Sequence, residues 1–482
     1  MKMKSVDIRR FVLAVCTSAT MLSGCGGGGG VSPSVLSSAP LHSRKPPSGS
    51  TPITHIVLVI QENRTFNNLF AGFPGATSSK TGFELVQQGS QYVKKRIKLT
   101  AAPLLDKQNV THLYEPAFVT AYQNGAMDGF NLVPFINGKL EGKLPYQYVK
   151  PATIKPYWAI AEQWGLANDM FQTQGSDSFT AHQDLIRGGT FIDSTDSLID
   201  PPTSPLAWGC DAAQGSETTL ITTGLQYEKN TGPFPCSNQF PDYGSNGYET
   251  LRDLLDAKSV SWKYYTPKFE KQEPNGLWNA FDVIAPVRYG PEWTDGHIAS
   301  PETSILNDIS GGALPAMSWV IPDAQNSDHP AYSTKDTGPS WVAGIVNAIG
   351  KSNQYWDNTA VIVVWDDWGG FYDPVAPPLP RDNQGGPGFR VPMLVVSPYV
   401  KIGTGSQGGY ISNTVYGFGS IIRFIEDTWN LGRLGTTDST STSMADMFDF
   451  SQSPRSFTPI KTKFSKQYFL HQRPSGLPVD TE

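Results

Sequence analysis

The sequence predicts an α/β protein: a three-layer sandwich in which helices cover a mostly parallel β-sheet. Residues 56–60 (IVLVI) and 360–365 (AVIVVW) are continuous apolar runs, as expected of strands that are buried on both faces. Apolar residues recur at helical spacing in 155–164, between the two runs. Strands that alternate with helices favour a parallel sheet. The stretch 190–250, rich in Gly, Pro, Ser and Thr, predicts a loop-rich insertion in this domain.

Further elements continue the alternation along the chain. The segment YETLRDLLDAKSV (248–260) has leucines at helical spacing, and SWVAGIVNAIGKS (340–352) predicts a helix directly before the second strand. RVPMLVVSPYV (390–400) predicts another strand, and GSIIRFIEDTWNL (419–431) another helix. These elements fit one large domain, which we place at residues 53–460, with a C-terminal tail over 461–482.

Composition and charge limit the possible partners. The chain has 482 residues, of which 39% are hydrophobic and 17% charged, so it has ample material for a globular core. The formal net charge is −6. Without a basic field, the composition argues against a nucleic-acid partner.

The N-terminus has the pattern of an export signal. A basic start is followed by the apolar run FVLAVCTSATML (11–22), which is short for a membrane span. The run ends in LSGC, which resembles the lipobox of bacterial lipoproteins and implies cleavage before Cys25 and lipidation of its thiol. We therefore predict a signal peptide over 1–24, a flexible tether over 25–52, and a lipid anchor in the bacterial envelope, at the outer membrane facing the periplasm or the surface. The alternative is an ordinary secreted protein in which Cys25 is incidental.

Two cysteines remain after processing. The chain has four, of which Cys16 lies in the predicted signal peptide and Cys25 at the lipidation site. The other two, Cys210 and Cys236, are an even pair in an oxidising compartment, and we expect a disulfide.

Polar residues follow both apolar strands at the point where each strand ends. Glu62 and Asn63 follow the first, and Asp366 and Asp367 the second. Ligands of open α/β sheets gather beyond the carboxyl ends of strands, so neighbouring strands would bring three carboxylates and an amide together. A cation is needed to balance them. Oxygen ligands favour Mg²⁺, Ca²⁺ or Mn²⁺, and a nearby histidine keeps Zn²⁺ open, so we expect one divalent ion of unresolved identity.

Several segments resemble a known family in the same order along the chain. ENRTFNNLF (62–70) resembles the ENRSFD-type opening of the bacterial phosphoesterase family of acid phosphatases and phospholipases C, and WDDWGGFYDPVAPP (365–378) resembles its D-E-x-G-G-F-x-D-H-V-x-P-P block. Other similar blocks include AYQNGAMDGF, SWKYY, LPAMSWVIPD and RVPMLVVSPYV. The resemblance covers residues 53–434 and implies an alkaline-phosphatase-like sandwich that hydrolyses phosphate esters with a metal and a Ser or Thr nucleophile.

The resemblance implies roles for particular residues. Carried over by position, the metal ligands are Glu62, Asn63, Ser178, Asp366 and Asp367. Ser178 matches the nucleophile, with Ser176 as the alternative. The catalytic histidines are His112 and His329, with His297 as a weaker match. His182 would share a face with Ser178 if 178–186 is helical, but we do not include it among the predicted catalytic residues.

The sequence departs from the family pattern in several places. Asp367 stands where the family has Glu, and Pro374 where it has His. Thr180 and Ala181 replace Pro and Asn after the nucleophile, and the histidine expected near Gly417 is absent.

The resemblance implies a metal-dependent phosphoric ester hydrolase, like an acid phosphatase, that forms a phosphoseryl intermediate on a small phosphorylated substrate. The alternative is a phospholipase C-type phosphodiesterase that takes a phospholipid head group. Because the phospholipases of the family resemble longer chains, the monoesterase is favoured. A choline cage could be built from aromatic residues, although core packing is the expected role for Trp158, Trp164, Trp262, Tyr264 and Tyr265. A candidate from another class is a non-catalytic surface lipoprotein that kept the fold as a binding module.

Overall fold

The computed structural model describes residues 51–105, 108–135, 137–202, 209–241, 247–268, 278–332, 335–379, 385–405 and 407–477. The predicted signal peptide, most of the tether and Cys25 lie outside these residues. Within the described part of the chain, no helix has both the length and the apolar character that a membrane span requires.

Fifteen strands form in the described residues. In chain order they are β1 His55–Gln61, β2 Thr81–Gln88, β3 Gln91–Lys98, β4 Thr100–Ala102, β5 Gln147–Val149, β6 Gly165–Met170, β7 Ser197–Asp200, β8 Thr219–Thr222, β9 Gln226–Glu228, β10 Trp262–Tyr265, β11 Ile298–Ala299, β12 Met317–Val320, β13 Thr359–Trp365, β14 Met393–Val396 and β15 Tyr410–Tyr416.

Ten α-helices form in the same residues. They are α1 Phe66–Phe70, α2 Val119–Tyr122, α3 Lys155–Gln163, α4 Ser178–Arg187, α5 Leu251–Ala257, α6 Ala285–Arg288, α7 Ser304–Gly311, α8 Gly338–Gly350, α9 Phe418–Trp429 and α10 Lys466–Leu470.

Eight strands form one sheet, in the order β11-β10-β12-β1-β13-β14-β6-β15. Strand β14 runs antiparallel to both of its neighbours, and every other pair in the sheet is parallel. The two apolar runs become the adjacent central strands β1 and β13, which are almost completely buried. The predicted mostly parallel sheet is therefore confirmed.

Helices cover both faces of this sheet. Trp319 of β12 lies in the same row as Ile362 of β13, three positions before Trp365, so side-chain alternation places the two indoles on opposite faces. Trp319 Nε1 donates to the Leu185 carbonyl oxygen of α4 at 3.3 Å, while the Trp365 ring packs 4.9 Å from that of Tyr157 on α3. Helices α4 and α3 thus pack against opposite faces, as a three-layer sandwich requires.

The insertion after α4 builds a small sheet of its own. Strands β7, β8 and β9 pair antiparallel, and Cys210, between β7 and β8, is joined in a disulfide to Cys236, which follows β9. The structure therefore pairs the two cysteines that the sequence predicts to pair.

The aromatic residues considered for a choline cage pack instead in the core. Trp164, Trp262, Tyr264 and Tyr265 are at most 2% exposed, and Trp158 is half-buried against Phe70 and Phe73. The expected core role of these side chains is what the structure shows.

Glu302, just before α7, provides a test of stability against pH. Burial and the negative charge of Asp323 raise the pKa of Glu302 from 4.5 to about 8. A raised pKa means that the folded state binds the proton more tightly, so this contribution to stability is complete below about pH 4.5 and is lost as pH rises towards 8.

We expect Glu302→Gln, which keeps the shape without the charge, to reduce the fall in the free energy of unfolding between pH 5 and 8 by roughly 3–5 kcal/mol. Denaturant unfolding at both pH values measures this change. If the free energy of unfolding fell equally between pH 5 and 8 in Glu302→Gln and in the wild type, the raised pKa of Glu302 would be contradicted.

Candidate active site

Two adjacent strand ends bring the acidic residues together. Because β1 and β13 are parallel neighbours with Gln61 opposite Trp365, the next residues, Glu62 and Asp366, leave the sheet side by side. The Asp366 backbone N–H donates to the Gln61 carbonyl oxygen at 2.9 Å, which extends the pairing by one step. Glu62, Asp366 and the following Asp367 are completely buried.

Asn63 turns the chain so that its backbone holds Asp366. Its φ of 55° lies in the left-handed region, which asparagine tolerates better than most residues. The Asn63 backbone N–H donates to Asp366 Oδ1 at 2.9 Å. One oxygen of Asp366 is thereby fixed by the main chain, and Oδ2 is turned towards Glu62 and His182.

The double glycine of the WDDWGG block fits tightly under this turn. Gly369 has a φ of +56°, and a Cβ atom on it would lie 2.1 Å from the Asn63 carbonyl oxygen. Its backbone N–H donates to Asp367 Oδ1 at 2.7 Å. A glycine is therefore required here, both for the backbone conformation and for the close approach to Asn63.

Ser178 is the first residue of α4 and points its hydroxyl at the acidic cluster. Ser178 Oγ donates to Asp367 Oδ2 at 3.0 Å, and Asn63 Nδ2 donates to Ser178 Oγ at 3.3 Å. The hydroxyl lies at the N-terminus of a ten-residue helix, where unpaired N–H groups favour negative charge. Ser178 is thus placed as a nucleophile would be, whereas the nearby Ser176 makes no side-chain hydrogen bond within the described residues.

Two of the predicted histidines lie next to each other, and one of them contacts Asn63 and Asp367. His112 Nε2 is 2.8 Å from Asn63 Nδ2 and 3.6 Å from Asp367 Oδ2. Its Nδ1 donates to the Val110 carbonyl oxygen at 2.7 Å, since a carbonyl can only accept, so Nδ1 carries a proton. The ring of His329 lies 6.3 Å from that of His112, and both side chains are completely buried.

His297 does not join this group. It directly precedes β11, and its ring lies 4.6 Å from that of Trp262, the first residue of β10. Both strands are parallel to β1, so His297 lies at the amino edge of the sheet, opposite the carboxyl edge that holds Asp366. Its Nδ1 is 2.6 Å from Asp295 on the partly exposed surface. The expectation that His297 takes part in catalysis is therefore corrected: the sequence match did not fix which edge of the sheet it occupies.

A third histidine, His182, lies in the site although it was not among the predicted catalytic residues. One turn after Ser178 on α4, it places Nε2 at 3.0 Å from Glu62 Oε1 and 3.6 Å from Asp366 Oδ2. Its ring lies parallel to that of Trp278 at 6.4 Å. The signal for His182 was the four-residue spacing from Ser178, which places two residues on one helix face.

The electrostatics of the site favour ionised Asp366. Burial alone would raise the pKa of Asp366, but its interactions with the neighbouring His182 and Glu62, together with the hydrogen bond from the Asn63 N–H, lower that pKa to about 2. Asp366 is therefore a carboxylate at any physiological pH, as a metal ligand must be.

The donor set fits a divalent cation. One ligand atom each from Glu62, His182 and Asp366 lie within 4.8 Å of one another. Asn63 Oδ1 and Asp366 Oδ2 are buried acceptors with no hydrogen-bond donor among the described residues. Buried acceptors usually have a partner, and a cation between these oxygens would provide one.

Taken together, the fold and this site define a class: an α/β sandwich with a buried acid, serine and histidine cluster, suited to a divalent metal and to ester hydrolysis. A sequence profile described as the phosphoesterase family matches residues 53–432, and the chain therefore belongs to the phosphoesterase family. The match confirms the resemblance seen in the sequence, and phosphoester hydrolases are the enzyme class of this family.

Curated relatives support the same class. The chain is 23% identical to a non-hemolytic phospholipase C of Pseudomonas aeruginosa, over 79% of this chain and 54% of that protein. It is 25% identical to phospholipase C A of Mycobacterium tuberculosis, over 86% of this chain and 80% of that protein. The chain thus spans about half the length of the Pseudomonas relative.

Solved structures resemble the protein only distantly. A protein of the alkaline phosphatase superfamily from Vibrio parahaemolyticus aligns over 61% of this chain and 65% of its own, with 12% identity and a TM-score of 0.29. A structure from the glycosaminoglycan metabolism of Bacteroides thetaiotaomicron covers 83% of this chain and 78% of its own, with 11% identity and a TM-score of 0.40. TM-scores this low add nothing to the fold that the sheet itself defines.

Gly369→Ala tests the close packing under Asn63. We expect it to lower the free energy of unfolding by ~3 kcal/mol or more, because the new methyl collides with backbone in addition to the cost of positive φ. Gly89 is the matched control: its φ is +65°, and a Cβ there would meet nothing within 4 Å. Gly89→Ala should therefore cost only about 1 kcal/mol. Denaturant unfolding compares the two variants, and equal losses would show that only the φ angle matters.

Proposed function

We propose that the protein is a metal-dependent phosphoric ester hydrolase in which Ser178 is the nucleophile. The observation that carries this proposal is the hydrogen bond from the Ser178 hydroxyl to Asp367 Oδ2, made beside the buried pair Glu62 and Asp366. A serine hydroxyl is a weak nucleophile until a base removes its proton, and Asp367 lies at the distance that proton transfer needs.

The metal site would be formed by oxygens of the two strand ends, with Glu62, Asn63 and Asp366 as holding residues. When bound, a divalent cation supplies positive charge that favours the serine alkoxide and shields the phosphate from it. The remaining groups of the site belong to the protein and can be assigned from their contacts.

In the first step, Ser178 Oγ attacks phosphorus. The Oγ–P bond forms while the bond from phosphorus to the leaving oxygen breaks, and the Ser178 proton passes to Asp367 Oδ2. The leaving oxygen takes a proton from an imidazolium, for which the candidates are His112, 3.6 Å from Asp367 Oδ2, and its neighbour His329. The α4 N-terminus favours the negative phosphate oxygens.

In the second step, water hydrolyses the phosphoserine. The histidine that gave its proton takes one from the attacking water, the new O–P bond forms, and the Oγ–P bond breaks. Ser178 Oγ recovers its proton from Asp367, so the site returns to its starting state and phosphate or a phosphomonoester is released.

Two lines of support favour different substrate classes. The sequence favoured a phosphomonoesterase like an acid phosphatase, and this remains a prediction. The relatives named as phospholipases C favour a phosphodiester with a phospholipid head group. Comparing turnover of p-nitrophenyl phosphate with that of p-nitrophenylphosphorylcholine separates the two substrate classes.

The competing proposal is a binding module that kept the fold without catalysis. The hydrogen bond between Ser178 and Asp367, and the histidine pair His112 and His329 in the same buried site, argue for catalysis. Absence of turnover of both chromogenic esters with Mg²⁺, Ca²⁺, Mn²⁺ and Zn²⁺ would favour the binding module.

Ser178→Ala tests the nucleophile. We expect a loss of kcat of at least about 1,000-fold on both esters, since the proposed phosphoseryl intermediate needs the Ser178 hydroxyl oxygen. Ser176→Ala is the matched control, because Ser176 Oγ makes no hydrogen bond in the described residues, and it should keep activity within about threefold. Both variants should unfold at the wild-type temperature. Wild-type rates in Ser178→Ala, or an equal loss in both variants, would contradict the assignment.

We also propose that the protein is exported and anchored to the bacterial envelope through a lipid on Cys25, supported by the LSGC motif after the apolar run. In a bacterial host, the full chain should incorporate labelled palmitate and sediment with membranes. Cys25→Ala should lose both properties, whereas Cys16→Ala should keep them because Cys16 lies before the predicted cleavage site. Labelling that persists in Cys25→Ala would exclude this anchor.

A further inference from the structure

The carboxylates of the site separate into two groups that perform different tasks. Asp367 is fully engaged: Oδ1 accepts from the Gly369 N–H at 2.7 Å, and Oδ2 accepts from Ser178 Oγ at 3.0 Å and from Asn63 Nδ2 at 3.2 Å. In contrast, Asp366 Oδ1 accepts from the Asn63 N–H, and Asp366 Oδ2 has no hydrogen-bond donor among the residues that the structure describes. Asp366 Oδ2 lies 3.6 Å from His182 Nε2, in the group of possible ligand atoms that also includes Glu62.

A nitrogen atom stands between the two carboxylates of the second group. His182 Nε2 lies 3.0 Å from Glu62 Oε1 and 3.6 Å from Asp366 Oδ2. Two ligands of one small ion, each at about 2.0–2.2 Å from it, lie roughly 3–4 Å apart. The distances from the imidazole nitrogen to both carboxylates are therefore those expected if all three groups bind the same ion.

The position of this imidazole is fixed by rigid surroundings. His182 lies inside α4, which is buried along its whole length, and its ring stacks parallel to the buried indole of Trp278. A ligand held by a helix and by a stacked ring keeps its direction, as metal-binding histidines do.

We propose that His182 is a ligand of the metal and that, with Glu62 and Asp366, it makes the site select a borderline transition-metal ion such as Zn²⁺ over Mg²⁺ and Ca²⁺. The inference rests on the proposed metal-dependent function and adds to it the class of the ion. The ligand set implied by the family resemblance contained only oxygen atoms, so His182 changes the chemistry of the site.

The selectivity follows from ligand type. Mg²⁺ and Ca²⁺ are hard ions that take oxygen ligands, and an imidazole nitrogen adds little to their binding. Zn²⁺ and similar ions bind imidazole strongly, and a site with one nitrogen and two carboxylates is typical of them. Both oxygens of Asp367 already accept hydrogen bonds. His182 can therefore serve as the third ligand, beside Glu62 and Asp366.

Metal affinity, measured without substrate, tests the proposal. The full chain is freed of metal with a chelator, and its affinities for Zn²⁺ and Mg²⁺ are measured by competition titration and calorimetry. We expect His182→Gln, which keeps a polar side chain of similar size, to weaken Zn²⁺ binding at least 100-fold and to change Mg²⁺ binding by less than about threefold.

Two control variants define the result. Asp366→Asn should weaken the binding of both Zn²⁺ and Mg²⁺, because it removes a carboxylate that would bind either ion. His297→Ala should change neither affinity in the site, and it removes the half-exposed pair of His297 and Asp295, which could hold Zn²⁺ adventitiously. Thermal unfolding of each metal-free variant checks that it remains folded.

A measurement on the wild type alone keeps the proposal testable if His182→Gln does not fold. Pulsed EPR of the Cu²⁺-loaded protein should show coupling to an imidazole nitrogen, and protein grown with ¹⁵N-histidine should show the corresponding isotope change. Absence of nitrogen coupling would overturn the proposal.

The remaining outcomes also decide the question. If His182 were only an imidazolium that neutralises the carboxylates, its removal would strengthen the binding of Zn²⁺ and Mg²⁺ alike. That result would show that His182 is not a metal ligand. Unchanged Zn²⁺ affinity in His182→Gln would also overturn ligand status. Ester hydrolysis by the wild-type protein would still support the proposed function in that case. Selective loss of Zn²⁺ binding supports the inference even in a protein without turnover, so the two proposals fail separately.

Discussion

The repulsion between three carboxylates buried at one sheet edge is the constraint on which the rest of the site depends. Glu62, Asp366 and Asp367 are all completely buried, and charges removed from water are tolerated only where partners offset them. The protein divides the problem: Asp367 is hydrogen-bonded to Ser178, Asn63 and the Gly369 N–H, whereas Asp366 and Glu62 share His182 and the proposed cation. The same division separates Asp367, the proposed base, from Glu62 and Asp366, the proposed metal ligands.

The backbone makes this division possible. The parallel register of β1 and β13 sets Glu62 beside Asp366, and the left-handed turn at Asn63 brings its N–H to one oxygen of Asp366. Gly369 allows the following loop to close to within contact of the Asn63 carbonyl. Backbone atoms of Asn63 and Gly369 thus hold one oxygen each of Asp366 and Asp367.

The sequence predicted those features that local patterns determine. A continuous apolar run that ends in acid indicates both a buried strand and the edge where its ligands lie, so Glu62 and Asp366 could be placed together before the sheet order was known. His297 could not, because its edge depends on the direction and order of β10 and β11, which no local pattern states. His182 was visible only as a spacing of four from Ser178, since its contacts with Glu62 arise from packing of α4 against a strand distant in sequence.

The departure from the family pattern at Asp367 and the presence of His182 can be understood together. An aspartate is one methylene shorter than the glutamate usual at that position, and here its carboxylate is held between the Gly369 N–H and the Ser178 hydroxyl. On the other side of the cluster, the imidazole of His182 reaches Glu62 and Asp366. Since Ser178 and His182 lie one turn apart on α4, a single buried helix sets the distance between the proposed nucleophile and the proposed metal ligand. A shift of α4 would therefore move both groups together, which preserves their relation to each other while changing their relation to the strand ends.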